Sequence, residues 1–374
     1  MTEPILLAAG GTGGHLFPAE ALAEVLCRRG VACAFVTDRR GAARLAGRDV
    51  AVHVVRSAPL AGRGVGGRVR GVVDLLAGTF QARRFVRAEG ARAVVGFGGY
   101  PSVPPVLAAS RLGVRTVIHE QNAVLGRANR LLAPRVDAIA TSFVETLRVR
   151  SADRARCRVV GNPVRRAIAA LAETPYQAPR DGGPVHILVT GGSQGARVMA
   201  DVVPAALARV RATVRARVNV AQQCRPEDLE RVRAAYHEAG IAADLATFFD
   251  DMPRRLAWAH LAVMRAGAST VAELALAGRP AILVPYPFAS DDHQTANARD
   301  LEAAGAAWAV PEAALTPEAL AKRIEALADA PDTLAATALR VRTQGCANAA
   351  EALADLVLGV AGANGGHHPR EAAA

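Results

Sequence analysis

A glycine-rich loop close to the N-terminus, Gly10-Gly11-Thr12-Gly13-Gly14, is followed directly by His15. Glycines let the backbone approach a ligand closely, and the free N–H groups at the start of a helix attract anions. An imidazole at the tip of such a loop can take a proton from a hydroxyl group near neutral pH. The pattern indicates an anion-binding loop that carries a base, or else a ligand-free turn between strand and helix with a structural histidine.

The spacing of the loop excludes two common nucleotide-binding motifs. A G-x-G-x-x-G motif that began at Gly11 would need glycine in place of Leu16, and one that began at Gly13 would need glycine in place of His15. A Walker A loop needs Gly-Lys-(Ser/Thr), and Lys322 is the only lysine of the chain. We therefore expect neither a dinucleotide site nor a P-loop.

Polar residues also follow two later apolar runs of the first half. Gly98-Gly99-Tyr100-Pro101-Ser102 forms a second glycine turn, and His119-Glu120-Gln121-Asn122 places four polar groups together. If the runs before them are parallel strands, both segments lie at the carboxyl edge of a sheet, where α/β proteins bind ligands. A structural loop explains any one of these groups, but a run of four at this edge favours a ligand site.

The second half offers further candidate ligand groups. Ser193 stands in a third glycine turn, where it would cap a helix and place its hydroxyl on a phosphate. Arg165 follows the turn Gly161-Asn162-Pro163, and it either binds two oxygens of a diphosphate with its planar guanidinium or is a solvated helix residue. Glu273 either accepts hydrogen bonds from ribose hydroxyls or forms a capping box with Thr270.

Asp291-Asp292-His293 carries two acids and a histidine, which are all possible metal ligands. However, no two aspartates of the chain have the D-x-D spacing that is typical of metal–diphosphate sites. The sequence therefore predicts that no metal ion is required.

Apolar runs alternate with amphipathic stretches along the whole chain, which predicts parallel sheets covered by helices on both faces. The predicted strands are Ile5–Ala9, Cys33–Thr37, Val50–Val55, Val94–Phe97, Thr116–His119, Ala138–Thr141, Val185–Thr190, Arg217–Val220, Thr247–Phe249, Leu261–Met264 and Ala281–Val284. Both halves begin with a strand, a Gly-Gly-(Thr/Ser)-x-Gly turn and a helix. This repetition predicts two similar doubly wound domains that face each other across a cleft.

Composition supports a two-domain globular protein of 374 residues. Its five scattered cysteines suit a reducing compartment, and we expect neither a signal peptide nor an apolar run of the roughly 20 residues that span a bilayer. The net charge of +11 favours anionic partners. Nucleic acid is excluded as a partner because aromatic residues make up only 4% and no binding motif occurs.

Several of these motifs together resemble the MurG family, the peptidoglycan N-acetylglucosaminyltransferases that make lipid II. They occur in the family's order and comprise Gly10–His15 with Pro18-Ala19, Gly98–Ser102, His119–Asn122, Val160–Arg165, Gly191–Ala196 and Asp291–Ala298. The resemblance runs from residue 5 to about residue 300, and residues 300–360 resemble the family in kind more than in detail.

The resemblance implies an α/β chain with the GT-B fold, in which two doubly wound Rossmann-like domains have parallel sheets facing across a deep cleft. Residues 1–163 would form the acceptor and membrane-facing domain, and residues 164–343 the UDP-sugar-binding domain. A C-terminal helix at about 344–360 would cross back to the first domain. Residues 361–374, with little apolar content, are predicted to be a disordered tail.

The resemblance also implies a hexosyltransferase that transfers N-acetylglucosamine, with inversion, from UDP-N-acetylglucosamine to the C4 hydroxyl of the muramyl sugar of lipid I. The product would be lipid II for peptidoglycan synthesis, and the enzyme would support cell shape and cell division. It would need no cofactor and would lie peripherally on the cytoplasmic face of the cell membrane. The peptide stem of the acceptor, the oligomeric state and the protein partners are left open.

Carried over position by position, the resemblance implies a set of substrate-binding residues. Thr12, Gly13 and Gly14 would line the cleft on the side of the acceptor diphosphate. Ser193 would contact the donor phosphate, the backbone of Phe249 the uracil, and Glu273 the ribose. The other residues that would bind the donor are Asn122, Arg165, Gln294 and the rest of the turn before Glu273, which is Ala268, Ser269, Thr270, Val271 and Ala272. Phe249 stands where the family often has an aliphatic residue, and a backbone contact survives that change.

A single displacement needs a base near the acceptor and stabilisation of the departing diphosphate. We expect His15 to be the base, with Glu120 as the alternative. Helix N-termini, Ser193 and Arg165 would stabilise the diphosphate charge.

The segment Arg63–Arg87 carries six arginines and one acid, Asp74, with apolar residues at helical spacing. This pattern predicts a basic amphipathic helix on an anionic bilayer surface, or else a helix that faces the core and has a solvated basic side.

Three other functions stay open from the sequence. A glycosyltransferase of the same architecture could act on a different acceptor, and a UDP-N-acetylglucosamine epimerase would convert the sugar without an acceptor. A non-catalytic nucleotide-binding protein would need fewer polar groups at the strand ends.

Overall fold

The structure is a computed structural model, and it describes residues 3–57, 64–192 and 195–363. For residues 64–69 it describes the helix but not the side chains. Within these ranges, no helix is long and apolar enough to cross a membrane.

Strands and helices alternate through both halves of the chain. The strands are β1 Ile5–Ala8, β2 Cys33–Thr37, β3 Ala51–Val54, β4 Ala93–Gly96, β5 Arg115–Glu120, β6 Ala138–Thr141, β7 Cys157–Val159, β8 Val185–Thr190, β9 Val218–Gln223, β10 Ala242–Ala246, β11 Leu261–Met264, β12 Ala281–Leu283 and β13 Trp308–Ala309. The helices of the first half are α1 Gly13–Arg28, α2 Arg39–Leu45, α3 Gly64–Ala88, α4 Val103–Arg111 and α5 Arg127–Leu132. Those that follow are α6 Arg166–Ala169, α7 Arg197–Arg209, α8 Ala212–Arg215, α9 Leu229–Glu238, α10 Met252–Trp258, α11 Ala268–Ala277, α12 His293–Ala303, α13 Pro317–Ala328, α14 Pro331–Thr343 and α15 Ala349–Gly362.

The strands form two separate parallel sheets, one in each half. Over the described residues, the first sheet has the order β3-β2-β1-β4-β5-β6-β7 and the second the order β10-β9-β8-β11-β12-β13. The strand order reverses between β1 and β4 in the first sheet, and between β8 and β11 in the second. Ligands of doubly wound proteins bind outside the carboxyl ends of the strands at such reversals. The predicted α/β class with two doubly wound domains is confirmed.

Each sheet is buried on both faces, which is why its inner strands are continuous apolar runs. In β1, Leu6 packs into one core cluster while Ile5 and Leu7 pack into the cluster on the opposite face. Side chains of a strand alternate between the two faces, so a single short run contributes to both cores.

The predicted strands agree with the observed ones wherever the run is strongly apolar. One prediction is wrong: residues 247–249 are not a strand, and β10 instead spans Ala242–Ala246. The aromatic residues of Thr247-Phe248-Phe249 suggested β structure, whereas the alanine-rich β10 is an edge strand that forms only by pairing with β9. The sequence also does not predict the edge strands β7 and β13, because such short strands form only by pairing with a neighbouring strand.

The last helix, α15, packs on the first domain. Leu353, Ala354 and Val357 join the core cluster that covers one face of the first sheet. The guanidinium of Arg28 lies 2.6 Å from the carboxylate of Glu351 at the edge of this contact. The helix begins at Ala349 and ends at Gly362, later than the predicted 344–360, so the first residues of the predicted tail are helical. The rest of that prediction, from residue 364, lies outside the described residues.

Candidate active site

The loop of Gly10 lies at the strand-order reversal of the first sheet, between the ends of β1 and β4. Its backbone contacts the second glycine turn, because the N–H of Gly10 donates to the carbonyl of Gly98 at 3.2 Å. Gly99 has φ of 70°, and a Cβ there would lie 3.2 Å from both the Cα of Gly10 and the ring of His15. Only glycine fits this turn, so the two loops together form a cradle for the imidazole.

His15 is half-buried in the first turn of α1, and its Nδ1 lies 3.1 Å from Oε1 of Gln121. Thr12 is at the N-cap position, but its side chain makes no capping hydrogen bond. Gly13 is buried, while Gly14 is exposed and has no other atom within 4 Å of where a Cβ would stand. The N-terminus of α1 therefore opens onto free space beside the imidazole.

Glu120 is buried, and four donors surround its carboxylate. Oε1 accepts from the backbone N–H of Asn122 at 3.0 Å and from its side-chain amide at 3.1 Å. Oε2 accepts from the N–H of Gly126 and from the amide of Asn129, both at 2.8 Å. This carboxylate organises the turn after β5 and has little remaining capacity to take a substrate proton.

His119 is fully buried beside the same turn. Its Nε2 lies 3.0 Å from the carbonyl oxygen of Gly161, and its Nδ1 lies 2.9 Å from the side-chain nitrogen of Gln121. Burial lowers the pKa of His119 to about 4, because an imidazolium ion would lose its hydration there. His119 is therefore neutral at physiological pH.

The turn after β5 is tied to the second domain by Asn297 on α12. The side chain of Asn297 is completely buried. Its Oδ1 accepts from the N–H of Ala123 at 2.8 Å, and its Nδ2 donates to Oδ1 of Asn122 at 3.1 Å and to the carbonyl of Ala266 at 3.0 Å. One amide thus joins the polar run of the first domain to the loop that precedes α11.

Arg165 lies between the two domains. Its guanidinium carbon stands 4.9 Å from the ring centre of Phe17 on α1, and Nη2 lies 3.7 Å from Oε1 of Glu273 on α11. The Nε of Arg165 is buried and has no hydrogen-bond partner within the described part of the chain. This side chain connects the helix that carries His15 to the helix that carries Glu273.

Glu273 is largely buried on α11. Burial raises the pKa of its carboxyl group, and the charge of Arg165 opposes that rise. Of the two interpretations of Glu273, the capping box with Thr270 is wrong, because α11 begins at Ala268 with Gly267 at the N-cap and no side chain caps it. Thr270 lies inside the helix, so the box does not account for Glu273.

The N-terminus of α11 lies at the strand-order reversal of the second sheet and is open to a ligand. The hydroxyl oxygen of Ser269 is buried and has no partner among the residues that the structure describes. Ala268 and Val271 are buried, whereas Thr270 and Ala272 are partly exposed. Free N–H groups, an unpaired hydroxyl and the positive end of the helix dipole suit a phosphate or a sugar hydroxyl.

Phe249 and Gln294, two further predicted donor residues, make contacts within the second domain. Phe249 is buried under the guanidinium of Arg255, whose carbon stands 3.6 Å from the ring centre. Oε1 of Gln294 on α12 accepts from the N–H of Tyr286 at 2.9 Å. Ser193 lies outside the described residues, and α7 begins at Arg197 with Ala196 at its N-cap position.

Asp291 forms a second polar contact between the domains. Its carboxylate pairs with Arg148, with Nη2 of Arg130 at 2.8 Å and with Nε of Arg127 at 3.6 Å. Burial alone would raise the pKa of Asp291, but Arg130 and Arg148 outweigh burial and lower it. Asp292 accepts from the hydroxyl of Thr295 at 2.6 Å.

His293 lies beside this pair, and its Nδ1 is 2.8 Å from the carbonyl of Ser290. The described residues contain no cluster of His, Cys, Asp and Glu side chains that could hold a metal ion.

The contacts between the two domains have no recognisable signal in the sequence. Asn297, which stands in the Asp291–Ala298 motif, and the arginines around Asp291 contact partners more than a hundred residues away in the chain. Neither the spacing nor the composition predicts which residues they contact.

The fold and the site define a two-domain α/β protein whose candidate ligand groups lie at the strand-order reversals of its two parallel sheets. Residues 5–141 match the family model described as the glycosyltransferase family 28 N-terminal domain, and residues 186–363 match the glycosyltransferase family 28 C-terminal domain. The chain is 54% identical over 364 residues to the UDP-N-acetylglucosamine–N-acetylmuramyl-(pentapeptide) pyrophosphoryl-undecaprenol N-acetylglucosamine transferase of Rhodospirillum centenum, covering 97% of this chain and 96% of the relative. The enzyme of the same name from Zymomonas mobilis is 49% identical over 359 residues, 96% of this chain and 92% of the relative.

Among solved structures, MurG of Acinetobacter baumannii superimposes with a TM-score of 0.77 at 30% identity and covers 96% of this chain and 99% of that one. The chain therefore belongs to glycosyltransferase family 28 and, within it, to the MurG family. The resemblance and the GT-B fold inferred from the sequence motifs are confirmed. A UDP-N-acetylglucosamine 2-epimerase from Listeria monocytogenes has a TM-score of 0.65 at only 16% identity, which shows a shared fold alone.

Proposed function

We propose that this protein transfers N-acetylglucosamine from UDP-N-acetylglucosamine to the C4 hydroxyl of the muramyl sugar of lipid I, with inversion, to give lipid II. Full-length relatives whose printed name is that transferase support the proposal. The observation that carries it is the position of Arg165, between Phe17 on the helix of His15 and Glu273 on α11. The hydroxyl of Ser269 on α11 has no partner within the described part of the chain. In the proposal, Arg165 lies between the helix that carries the base and the helix whose N-terminus binds the anion.

In this reaction the acceptor oxygen attacks the anomeric carbon while the UDP diphosphate leaves. His15 takes the proton of the attacking hydroxyl. We favour it over Glu120, because four hydrogen bonds already occupy the carboxylate of Glu120. Arg165, Ser193 and the N-terminus of α11 stabilise the charge that develops on the diphosphate. The proposal includes no required metal ion or cofactor, since the D-x-D spacing does not occur in the sequence.

The proposal divides the remaining site residues between the two substrates. Residues 164–343 bind most of the donor, with the backbone of Phe249 on uracil, the turn from Ala268 to Glu273 on ribose and phosphate, and Gln294 as a further contact. Asn122 adds one donor contact from the first domain. Residues 1–163, together with α15, bind the acceptor, and Thr12, Gly13 and Gly14 hold its diphosphate. The open N-terminus of α1 beside His15 supports this assignment.

The test is transfer of labelled N-acetylglucosamine to a soluble lipid I analogue. We expect a labelled disaccharide product that forms only when donor and acceptor are both present. Conversion of UDP-N-acetylglucosamine in the absence of the acceptor would instead indicate an epimerase and would contradict the proposal.

Replacing Glu273 by glutamine is expected to weaken uridine and UDP binding by about 10- to 100-fold, because a hydrogen bond to a charged group contributes roughly 1.5–3 kcal/mol. Isothermal titration with UDP, and competition by uridine, measure the two affinities. Glu230→Gln, an exposed change on α9 of the same domain, is the matched control. If Glu273 only paired with Arg165, the substitution would free the guanidinium for the diphosphate. UDP would then bind more tightly to the variant and uridine equally well, which would refute the ribose contact.

We also propose that α3 binds an anionic membrane surface, which would place the protein peripherally at the cytoplasmic face of the cell membrane. Val72, Val73, Leu76 and Phe80 are exposed, the last two by 61% and 59%. The opposite side of the helix packs on the core through Leu75 and Val86, so the exposed apolar residues form a second face. Exposed apolar residues beside basic ones are typical of membrane-surface helices.

The predicted surface is tested by replacing Leu76 and Phe80 together with serine. We expect binding to vesicles that contain phosphatidylglycerol to fall at least about tenfold, since each buried side chain contributes roughly 1.5–3 kcal/mol. Co-sedimentation measures binding, and Leu339→Ser, which changes a leucine on α14 that is 70% exposed, is the control. Unchanged sedimentation of the double variant would contradict the membrane role. Leu75 is left intact because it packs on the core.

A role in cell shape and cell division follows from the proposed reaction, since lipid II supplies peptidoglycan synthesis. Cells depleted of the protein should therefore swell and lyse. Expression of the wild-type protein should reverse this effect, and expression of the His15→Ala variant should not.

A further inference from the structure

A continuous chain of hydrogen bonds runs from the interdomain turn to the imidazole of His15. It joins the carbonyl of Gly161 to Nε2 of His119 at 3.0 Å, Nδ1 of His119 to Nε2 of Gln121 at 2.9 Å, and Oε1 of Gln121 to Nδ1 of His15 at 3.1 Å. His119 and Gln121 are both buried, so water does not compete for these bonds.

The backbone fixes the direction of every bond in this chain. The side-chain nitrogen of Gln121 lies 3.0 Å from the carbonyl oxygen of His119, which only accepts, so this end of the amide must be the NH₂ group. The same NH₂ group donates to Nδ1 of His119, which must therefore be unprotonated. His119 then carries its proton on Nε2 and donates it to the carbonyl of Gly161. Burial, which lowers the pKa of His119 to about 4, keeps this neutral form.

The same amide of Gln121 fixes the direction of the hydrogen bond to His15. With its nitrogen directed at His119, Gln121 presents Oε1 to His15, and an amide oxygen only accepts. Nδ1 of His15 therefore carries the proton, and the lone pair of the imidazole is on Nε2. Nε2 has no hydrogen-bond partner among the residues described here. Gly98 and Gly99 pack against the ring, since a Cβ at either position would lie 3.2–3.3 Å from its carbon atoms.

We propose that His119 and Gln121 are positioning residues that hold His15 in the tautomer with its proton on Nδ1. The proposal deepens the transfer reaction proposed above and relies on it. Nε2 of His15 takes the proton as the acceptor oxygen forms its bond to the anomeric carbon. The bond from that carbon to the diphosphate breaks, and UDP leaves with the electron pair. The resulting imidazolium keeps its Nδ1–H bond to Gln121 and, because His15 is half-buried, returns the proton from Nε2 to solvent.

The tautomer is measured directly by ¹⁵N spectra of the enzyme labelled on its histidine rings, with His15→Ala to assign the signal. We expect the wild-type ring of His15 to be protonated on Nδ1 and unprotonated on Nε2, and the Gln121→Leu variant to lose this preference. A wild-type ring protonated on Nε2 would overturn the proposal, whatever the activity. This measurement involves no substrate, so it stays informative even if the protein does not perform the proposed reaction.

Steady-state kinetics test whether this tautomer of His15 contributes to the rate of transfer. Gln121→Leu and His119→Leu are expected to lower kcat about tenfold or more, but by less than removal of the base itself, with the Kd for UDP unchanged. His119→Asn is expected to recover most of the activity lost in His119→Leu, because its Oδ1 can accept from Gln121 as Nδ1 does. Equal losses in the leucine and asparagine variants, or losses matched by lower thermal midpoints and weaker UDP binding, would reduce His119 to a structural role and refute the proposal.

If the tautomer is as expected and His15→Ala retains full activity, His15 is not the base, while the assignment of the hydrogen bonds remains correct. If the tautomer is reversed and His15→Ala is inactive, His15 remains the proposed base and the positioning role of His119 and Gln121 is refuted.

Discussion

Replacing His15 by alanine is expected to lower kcat for transfer by about 10²- to 10⁴-fold while the Kd for UDP changes by less than about twofold. The reason is geometric, because His15 stands on α1 of the first domain, whereas all the residues proposed to bind the donor except Asn122 stand on the second. The imidazole lies in a cradle of glycines whose N–H and Cα groups supply no alternative base. Loss of the ring therefore removes the proton acceptor and leaves the donor site intact.

Steady-state transfer assays and UDP titration measure the two quantities on the same preparation. His237→Ala, which removes an exposed histidine on α9, should behave as wild type. A loss of UDP affinity as large as the loss in kcat would mean that His15 contributes to donor binding, and the role of base would have to be given up.

Replacing Glu120 by glutamine is expected to destabilise the protein by about 2–4 kcal/mol, because it leaves buried donors without an acceptor. Each carboxylate oxygen accepts two hydrogen bonds, and an amide offers only one oxygen. Its NH₂ group would face two donors that it cannot satisfy. The variant should therefore lose stability first and activity only as far as the turn after β5 becomes disordered.

Urea unfolding and transfer rates below the unfolding transition separate these effects. Glu145→Gln, an exposed carboxylate after β6 in the same domain, is the matched control and should change neither quantity. A Glu120→Gln enzyme that unfolds at the wild-type urea concentration and yet loses 10²-fold or more in kcat would identify Glu120 as the base instead.

The sequence predicts the inner strands of both sheets well, and the reason is physical. A strand covered on both faces must be apolar throughout, so runs such as Ile5–Ala8 and Leu261–Met264 are recognisable without tertiary information. The glycine turns after them can also be recognised, because a backbone that bends sharply from strand to helix restricts the residues allowed there. Once the strands are parallel, their carboxyl ends meet at one edge, which predicts where the site lies.

Edge strands and helix ends were harder to predict from the sequence. β10 is rich in alanine and exists because β9 offers it hydrogen-bond partners. Residues 247–249, two of them phenylalanines, pair with no strand in the described part of the chain. Thr270 and Glu273 have the spacing of a capping box, yet α11 begins earlier, at Ala268. In both cases a local preference of a fraction of a kcal/mol to about 1 kcal/mol was outweighed by packing in the domain.

By itself, the sequence determined the two doubly wound domains, the family and the candidate groups for the proposed chemistry, because these depend on residue types at short spacing. Only the tertiary structure decided which of those groups is free to act. Glu120 and His15 are both candidate bases in the sequence, but the fold surrounds the first with four hydrogen-bond donors. Nε2 of the second has no partner among the residues that the structure describes. His15 and Gln121 are 106 positions apart, so their contact depends on the order of the strands. Hydrogen bonds between such distant residues decide the protonation of the site, and no local pattern encodes them.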